Sequence, residues 1–113
     1  MIKQVLVLRK DLNMRKGKMI AQGAHAAIES MFNSKPNWLN EWGETGTTKI
    51  VVSVNSLEEL NSVYDAAQTA GLPCSIIQDA GRTEFKEPTF TAVGIGPAPA
   101  ELIDKITGTF TLL

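Results

Sequence analysis

Cysteine and histidine occur once each in this chain of 113 residues, as Cys74 and His25, and aromatic residues make up only 6% of it. A lone cysteine excludes an internal disulfide, and a lone cysteine with a lone histidine excludes the usual Cys/His zinc sites. Pro73, Ser75 and Ile76 around Cys74 mark a buried strand start, so the thiol reads as structural rather than nucleophilic and suits a reducing compartment. No apolar run is long enough to cross a bilayer. The segment Val5 to Leu8 is too short and wrongly flanked for a signal peptide, so a cytoplasmic protein without membrane association is expected. Neither a G-x-x-x-x-G-K-[ST] phosphate loop nor a G-x-S-x-G nucleophile elbow is present, and Gly94-Ile95-Gly96 before a proline is too little for a dinucleotide fingerprint. No metal and no cofactor are expected.

Long blocks of one charge sign are also missing, and low-complexity runs with them. With 43% hydrophobic and 20% charged residues, the chain is expected to form one ordered domain over residues 1–113. The formal net charge of −1 argues against nucleic acid as a partner, but its distribution does not. Residues 1–20 hold six basic side chains (Lys3, Arg9, Lys10, Arg15, Lys16, Lys18) against Asp11 alone, so that segment is +5 and the rest −6. Such a cluster either solvates strand ends or contacts phosphates.

The unbroken run within Ile2–Leu8 predicts a central strand covered on both faces. A helix is expected from about Lys16 to Met31, a short helical turn over Trp38–Trp42, a strand over Thr48–Val54, and a helix over Leu57–Ala70 opened by a Ser56/Glu59 capping box and stopped by Gly71. Further strands are expected over Cys74–Ile77 and Thr89–Ile95. A rigid Gly96-Pro97-Ala98-Pro99 turn, a helix over Ala100–Ile106, and a tail tied down by Phe110, Leu112 and Leu113 complete the chain. The order implies parallel crossovers plus one antiparallel pairing, an α/β fold with a small mixed sheet and helices on both faces. The two tryptophans are expected to cover an end of the core.

At 100° per residue, Lys18, Gln22, His25 and Glu29 form one polar row on the first helix, with Ile20, Ala24, Ala27, Ile28 and Met31 opposite as its core-facing side. A polar row is also simply the wet side of a surface helix. This one holds the only histidine and starts where Arg15 and Lys16 crowd the positive end of the helix dipole, a place that favours a bound anion. In an open α/β sheet, ligands sit beyond the carboxyl ends of the strands, where Arg9–Lys18 and Asp79-Ala80-Gly81-Arg82-Thr83 would meet. The second segment is equally an ordinary Asp-containing turn. Together the two offer an acid or base, a cation and a phosphate-reading arginine, the parts of hydrolysis on an anionic substrate.

Lys16-Gly17-Lys18 with Ala21-Gln22 and His25-Ala26, the Asp79-to-Thr83 loop, and Gly94-Ile95-Gly96-Pro97-Ala98-Pro99 leading to Thr107-Gly108 resemble the archaeal and eukaryotic type of peptidyl-tRNA hydrolase over nearly the whole chain. The resemblance implies a four-stranded mixed sheet, hydrolysis of the ester joining peptide to tRNA, no metal requirement, and frequent homodimers. Position by position it puts functional residues at Lys18, Asp79, Thr83 and Thr91, with Gln22 and His25 in the helix motif. Asp79 would position or deprotonate water, Lys18 would stabilise the oxyanion, and Thr83 or Thr91 would orient the water or the ribose. His25 would act as base or support. Lys3, Arg9, Arg15, Lys16 and Arg82 would contact acceptor-stem phosphates. Two departures stand out: Gly23-Ala24 where many relatives have cysteine and serine, and the charged run Glu84-Phe85-Lys86-Glu87 after the loop. A non-catalytic RNA- or protein-binding module on the same fold, and hydrolysis of a different ester or amide, are the alternatives.

Overall fold

In a computed structural model that describes residues 1–82 and 84–113, eight elements follow one another: β1 (Ile2–Arg9), α1 (Lys16–Phe32), α2 (Pro36–Glu44), β2 (Lys49–Val54), α3 (Leu57–Thr69), β3 (Cys74–Asp79), β4 (Thr89–Pro99) and α4 (Ala100–Thr107). The strands form one mixed sheet in the order β2-β1-β4-β3. β1 runs parallel to β2 and antiparallel to β4, which in turn is antiparallel to β3. The two inner strands are those with the longest buried runs, as the unbroken Val5–Leu8 segment requires of a strand covered on both faces.

Alternation along β1 separates two apolar layers. Val5 and Val7 join Val52, Val54, Val93 and Ile95 under α3 (Leu60, Val63, Ala67) and α4 (Ile103), with Trp38 of α2 packed alongside. Leu6 and Leu8 join Ile77 and Ala92 under Ala26 of α1. Helices therefore cover both faces.

The buried side of α1 differs from the expected one. Gln22, Gly23, Ala26 and Ser30 face the sheet, whereas Ile20 is 73% exposed, Ile28 50%, and Ala24 is exposed too. The reason is distance. α1 lies so close over β4 that a Cβ on Gly94 would stand 2.3 Å from the Ala26 carbonyl oxygen and 2.9 Å from Ser30 Cβ, so only small side chains and one amide fit beneath the helix. Branched residues are displaced onto its flank. Gly94→Ala is expected to destabilise the fold by about 1–3 kcal/mol through this overpacking. Gly23→Ala, whose Cβ meets only Leu6 and Leu8 methyl groups at 3.8 and 3.9 Å, leaves the melting temperature nearly unchanged. Parallel thermal denaturation of the two variants checks the contrast.

Other differences have local causes. Pro36 opens α2 as its first residue, where its missing N–H is harmless, so a nine-residue helix replaces the expected turn. Trp42 is buried and donates its indole N–H to the Thr48 carbonyl at 2.9 Å, which fits the expected covering role. β3 extends two residues beyond Ile77 to Asp79. β4 continues through the expected Gly96–Pro99 turn, pairing Ala98 with Lys3 and Pro99 with Ile2 after a register shift that accommodates the prolines. The tail is fastened along β2 mainly by backbone, through Ser53 N–H to Thr111 O (2.9 Å) and Leu113 N–H to Val51 O (3.1 Å). Phe110 packs on the core, whereas Leu112 and Leu113 remain largely exposed. No helix among the described residues is long and apolar enough to cross a membrane.

Candidate active site

The carboxyl ends of β1, β2 and β3 share one edge of the sheet with the start of β4, and α1 begins there. β4 separates β1 from β3, yet α1 crosses over it and brings residue 18 to residue 79. The polar row is thereby laid against β3 and β4. Lys18 Nζ donates to Asp79 Oδ1, and both side chains are nearly buried, at 11% and 8% exposure. One turn on, Gln22 accepts from the Thr91 hydroxyl; Gln22 is 4% exposed and Thr91 fully buried. His25 is exposed and lines a polar cleft of about 390 Å³ together with Gln22, Glu29, Gln78, Asp79 and Ala80. Glu29 accepts from the Ser75 hydroxyl at 3.2 Å at the far end of the row.

Asp79 is fixed from a second side. Its Oδ2 accepts from the Gly81 N–H at 2.9 Å, closing an Asx-type turn. That turn needs glycine: φ is 82° at residue 81, and a Cβ there would meet the Glu87 carbonyl carbon at 2.7 Å. The carboxylate plane is thus set by an ammonium on one oxygen and a backbone amide on the other.

The basic residues divide. Arg15 is 89% exposed and Lys16 and Arg82 are exposed, all at this end of the sheet. Arg9 is only 12% exposed; its guanidinium meets Asp11 at 2.7 and 3.1 Å and donates to the Phe90 carbonyl at 3.1 Å, bracing the β1–α1 connection against β4. The same contact holds the Asp11 carboxyl below its ordinary pKa. Lys3 lies elsewhere altogether. It pairs with Asp104 of α4 at 2.6 Å, and its backbone registers with Ala98 at the opposite end of the sheet, so the expectation that it joins a phosphate-contacting patch here is corrected. Thr83 lies outside the described residues. Cys74 is part-buried at the start of β3, and burial raises its thiol pKa, in keeping with a structural group.

Two residues of the charged run after the loop meet the start of α1, which the sequence alone does not signal. Glu84 reaches the start of α1, where the Arg15 N–H donates to its carboxylate at 3.4 Å and Arg15 Nε stands 3.8 Å away. The Phe85 ring centroid is 5.9 Å from Lys18 Nζ. An aromatic inside a charged loop is what the sequence shows of the two.

The fold is an α/β one, and its polar cleft, walled by one helix, includes the carboxyl end of β3, the part of an open sheet where α/β proteins in general hold ligands. Residues 2–113 match the family described as Peptidyl-tRNA hydrolase PTH2, and the chain belongs to that family. It is 52% identical to a peptidyl-tRNA hydrolase of Methanocaldococcus jannaschii, over 99% of this chain and all of the relative. It is also 51% identical to one of Saccharolobus solfataricus over the full length of both, and 52% identical to one of Sulfurisphaera tokodaii over 98% of each.

Proposed function

We propose that this chain hydrolyses the ester between a peptide, or an N-blocked aminoacyl group, and tRNA, and that its cleft beside α1 is where the reaction occurs. The observation that carries the reading is the Lys18–Asp79 pair, joined across 61 positions of sequence at the strand ends of a chain that matches the family over residues 2–113. Asp79, its plane fixed by Lys18 and the Gly81 amide, positions a water and takes its proton as the water oxygen attacks the ester carbonyl. The ammonium of Lys18 stabilises the oxyanion that develops. As the bond to the ribose oxygen breaks, that proton passes to the departing hydroxyl.

Gln22 and Thr91 serve behind this pair: buried against one another, they fix the pitch of α1 over β4 and hence the place of Lys18. Thr91, fully buried and donating to Gln22, acts through that amide in orienting the water or the ribose. His25, exposed on the cleft wall, takes a supporting role beside the substrate. Thr83, two positions after Gly81 in sequence, stays in the proposed set as the group that orients water or ribose. Arg15, Lys16 and Arg82 supply exposed charge for acceptor-stem phosphates, and Arg9 holds the scaffold beneath them. The cytoplasm, where translation leaves such esters, is the proposed location. Incubation with N-acetyl-aminoacyl-tRNA tests the reading: release of the acyl group above the buffer rate is expected, and tRNA binding without release would make the chain a binding module instead.

A homodimer is proposed as well. Ile20, Ala24, Ile28 and Phe32 form an exposed stripe at four-residue spacing on α1, with Phe32 76% and Ile20 73% exposed. Next to it, Leu6, Leu8, Val51 and Leu113 floor an apolar groove of about 510 Å³. Apolar surface of this continuity is characteristic of subunit contacts. Sedimentation of the wild type as a dimer and of Ile28→Glu as a monomer is expected; a monomeric wild type at micromolar concentration would refute it.

A further inference from the structure

Phe85 is the aromatic residue in an otherwise charged stretch of the β3–β4 connection, between Glu84 and Lys86. It is half-buried and belongs to neither of the apolar clusters that pack the two faces of the sheet, so the core does not explain it. What holds it in place is the start of α1. Glu84 meets Arg15 through the backbone N–H and the guanidinium, docking the loop on the helix, and the next residue then carries its ring to within 5.9 Å of the Lys18 ammonium. A ring in that position faces a cation on one side. The remainder of its surface is partly open to solvent.

The geometry points to Phe85 as the platform on which the adenine of the terminal tRNA nucleotide stacks, an assignment that rests on the hydrolase reading above. The scissile ester sits on the ribose of that nucleotide. With the carbonyl held at Lys18, the base stands one sugar away from a ring whose centroid is 5.9 Å from the ammonium, and offset stacking places ring centroids about 4.5–7 Å apart. Unpaired 3′ ends are bound in this manner, by π-faces that accept a base without reading its edge. The other aromatic-seeking part of the substrate, the side chain of the last amino acid, varies from one peptide to the next. The terminal nucleotide is the same in every tRNA, so one fixed ring next to the reacting bond serves the base.

The test compares N-acetyl-leucyl esters of tRNA, of adenosine and of ribose without a base. Phe85→Ala and Phe85→Leu are both expected to raise KM for the tRNA and adenosine esters by about 10- to 100-fold, the range that one base stack supplies, with kcat within a few-fold of wild type. Phe85→Trp restores KM, and on the base-free ester all variants match the wild type in kcat/KM. Equal losses on all three esters, or a changed pH profile of kcat, would overturn the assignment in favour of a ring that supports Lys18. A loss that follows the amino-acid side chain rather than the base would overturn it in favour of a peptide contact. A wild type inactive on every ester would instead sink the hydrolase reading itself.

Discussion

Alanine at position 18 is expected to lower kcat on N-acetyl-aminoacyl-tRNA by about 100- to 1,000-fold while changing KM little, the effect of removing one positioned donor to a developing oxyanion. In the proposed mechanism the ammonium also meets oxyanion charge that develops only as water adds to the carbonyl, so its loss is expected to fall on the transition state rather than on the bound ester. A structural consequence accompanies the kinetic one. Lys18 and Asp79 are nearly buried together, and breaking such a pair from one side destabilises a protein by about 3–5 kcal/mol. Rates therefore belong well below the melting temperature of the variant. Lys18→Arg separates the two effects: it keeps the positive charge against Asp79, while the planar guanidinium presents its donors in a different place, so stability returns more fully than activity. Single-turnover release of labelled acyl group, with a melting curve for each variant, reads both.

Asparagine at position 79 is expected to cost about 100- to 10,000-fold in kcat, the usual contribution of a positioned base. The substitution conserves shape. The amide oxygen that Asp79→Asn introduces still accepts from the Gly81 N–H, so the Asx-type turn survives, but the group no longer takes a proton from water and no longer offsets the charge of Lys18. Asp79→Glu retains the carboxylate and loses the turn geometry. It is expected to fall between the wild type and Asp79→Asn if position and charge both matter, and quenched-flow measurement of the first turnover distinguishes the three proteins.

Much of this arrangement was legible in the chain because it depends on periodicity and local chemistry. An unbroken Val5–Leu8 run has no solvent-facing positions and therefore marks an inner strand; Ser56 and Glu59 form their cap wherever the helix lies, and the serine hydroxyl does accept from the Glu59 N–H at 3.1 Å. The polar row on α1 was legible for the same reason, since a helix of known pitch fixes which side chains share a side. Which side would be buried was not. Hydrophobicity favours Ile20 and Ile28 as core residues, but the closeness of α1 to Gly94 is a tertiary constraint, and it selects size over polarity. Lys3 illustrates another limit: residues near each other in sequence lie at opposite ends of a strand, so a count over residues 1–20 merged a lysine bound to Asp104 with a patch that it never joins. Glu84 and Phe85 belong with Arg15 and Lys18 only because α1 passes over β4, a juxtaposition with no local signature.

A double-substitution cycle in kcat on N-acetyl-aminoacyl-tRNA asks most directly whether Lys18 and Asp79 work as one catalytic unit. Lys18→Ala, Asp79→Ala and the double variant are compared with the wild type at one temperature below all four melting transitions. Groups that act together are strongly non-additive, so the double variant should be no more than a few-fold slower than the slower single one. Losses that multiply would mean two independent contributions and would contradict the mechanism built on their meeting at the strand ends.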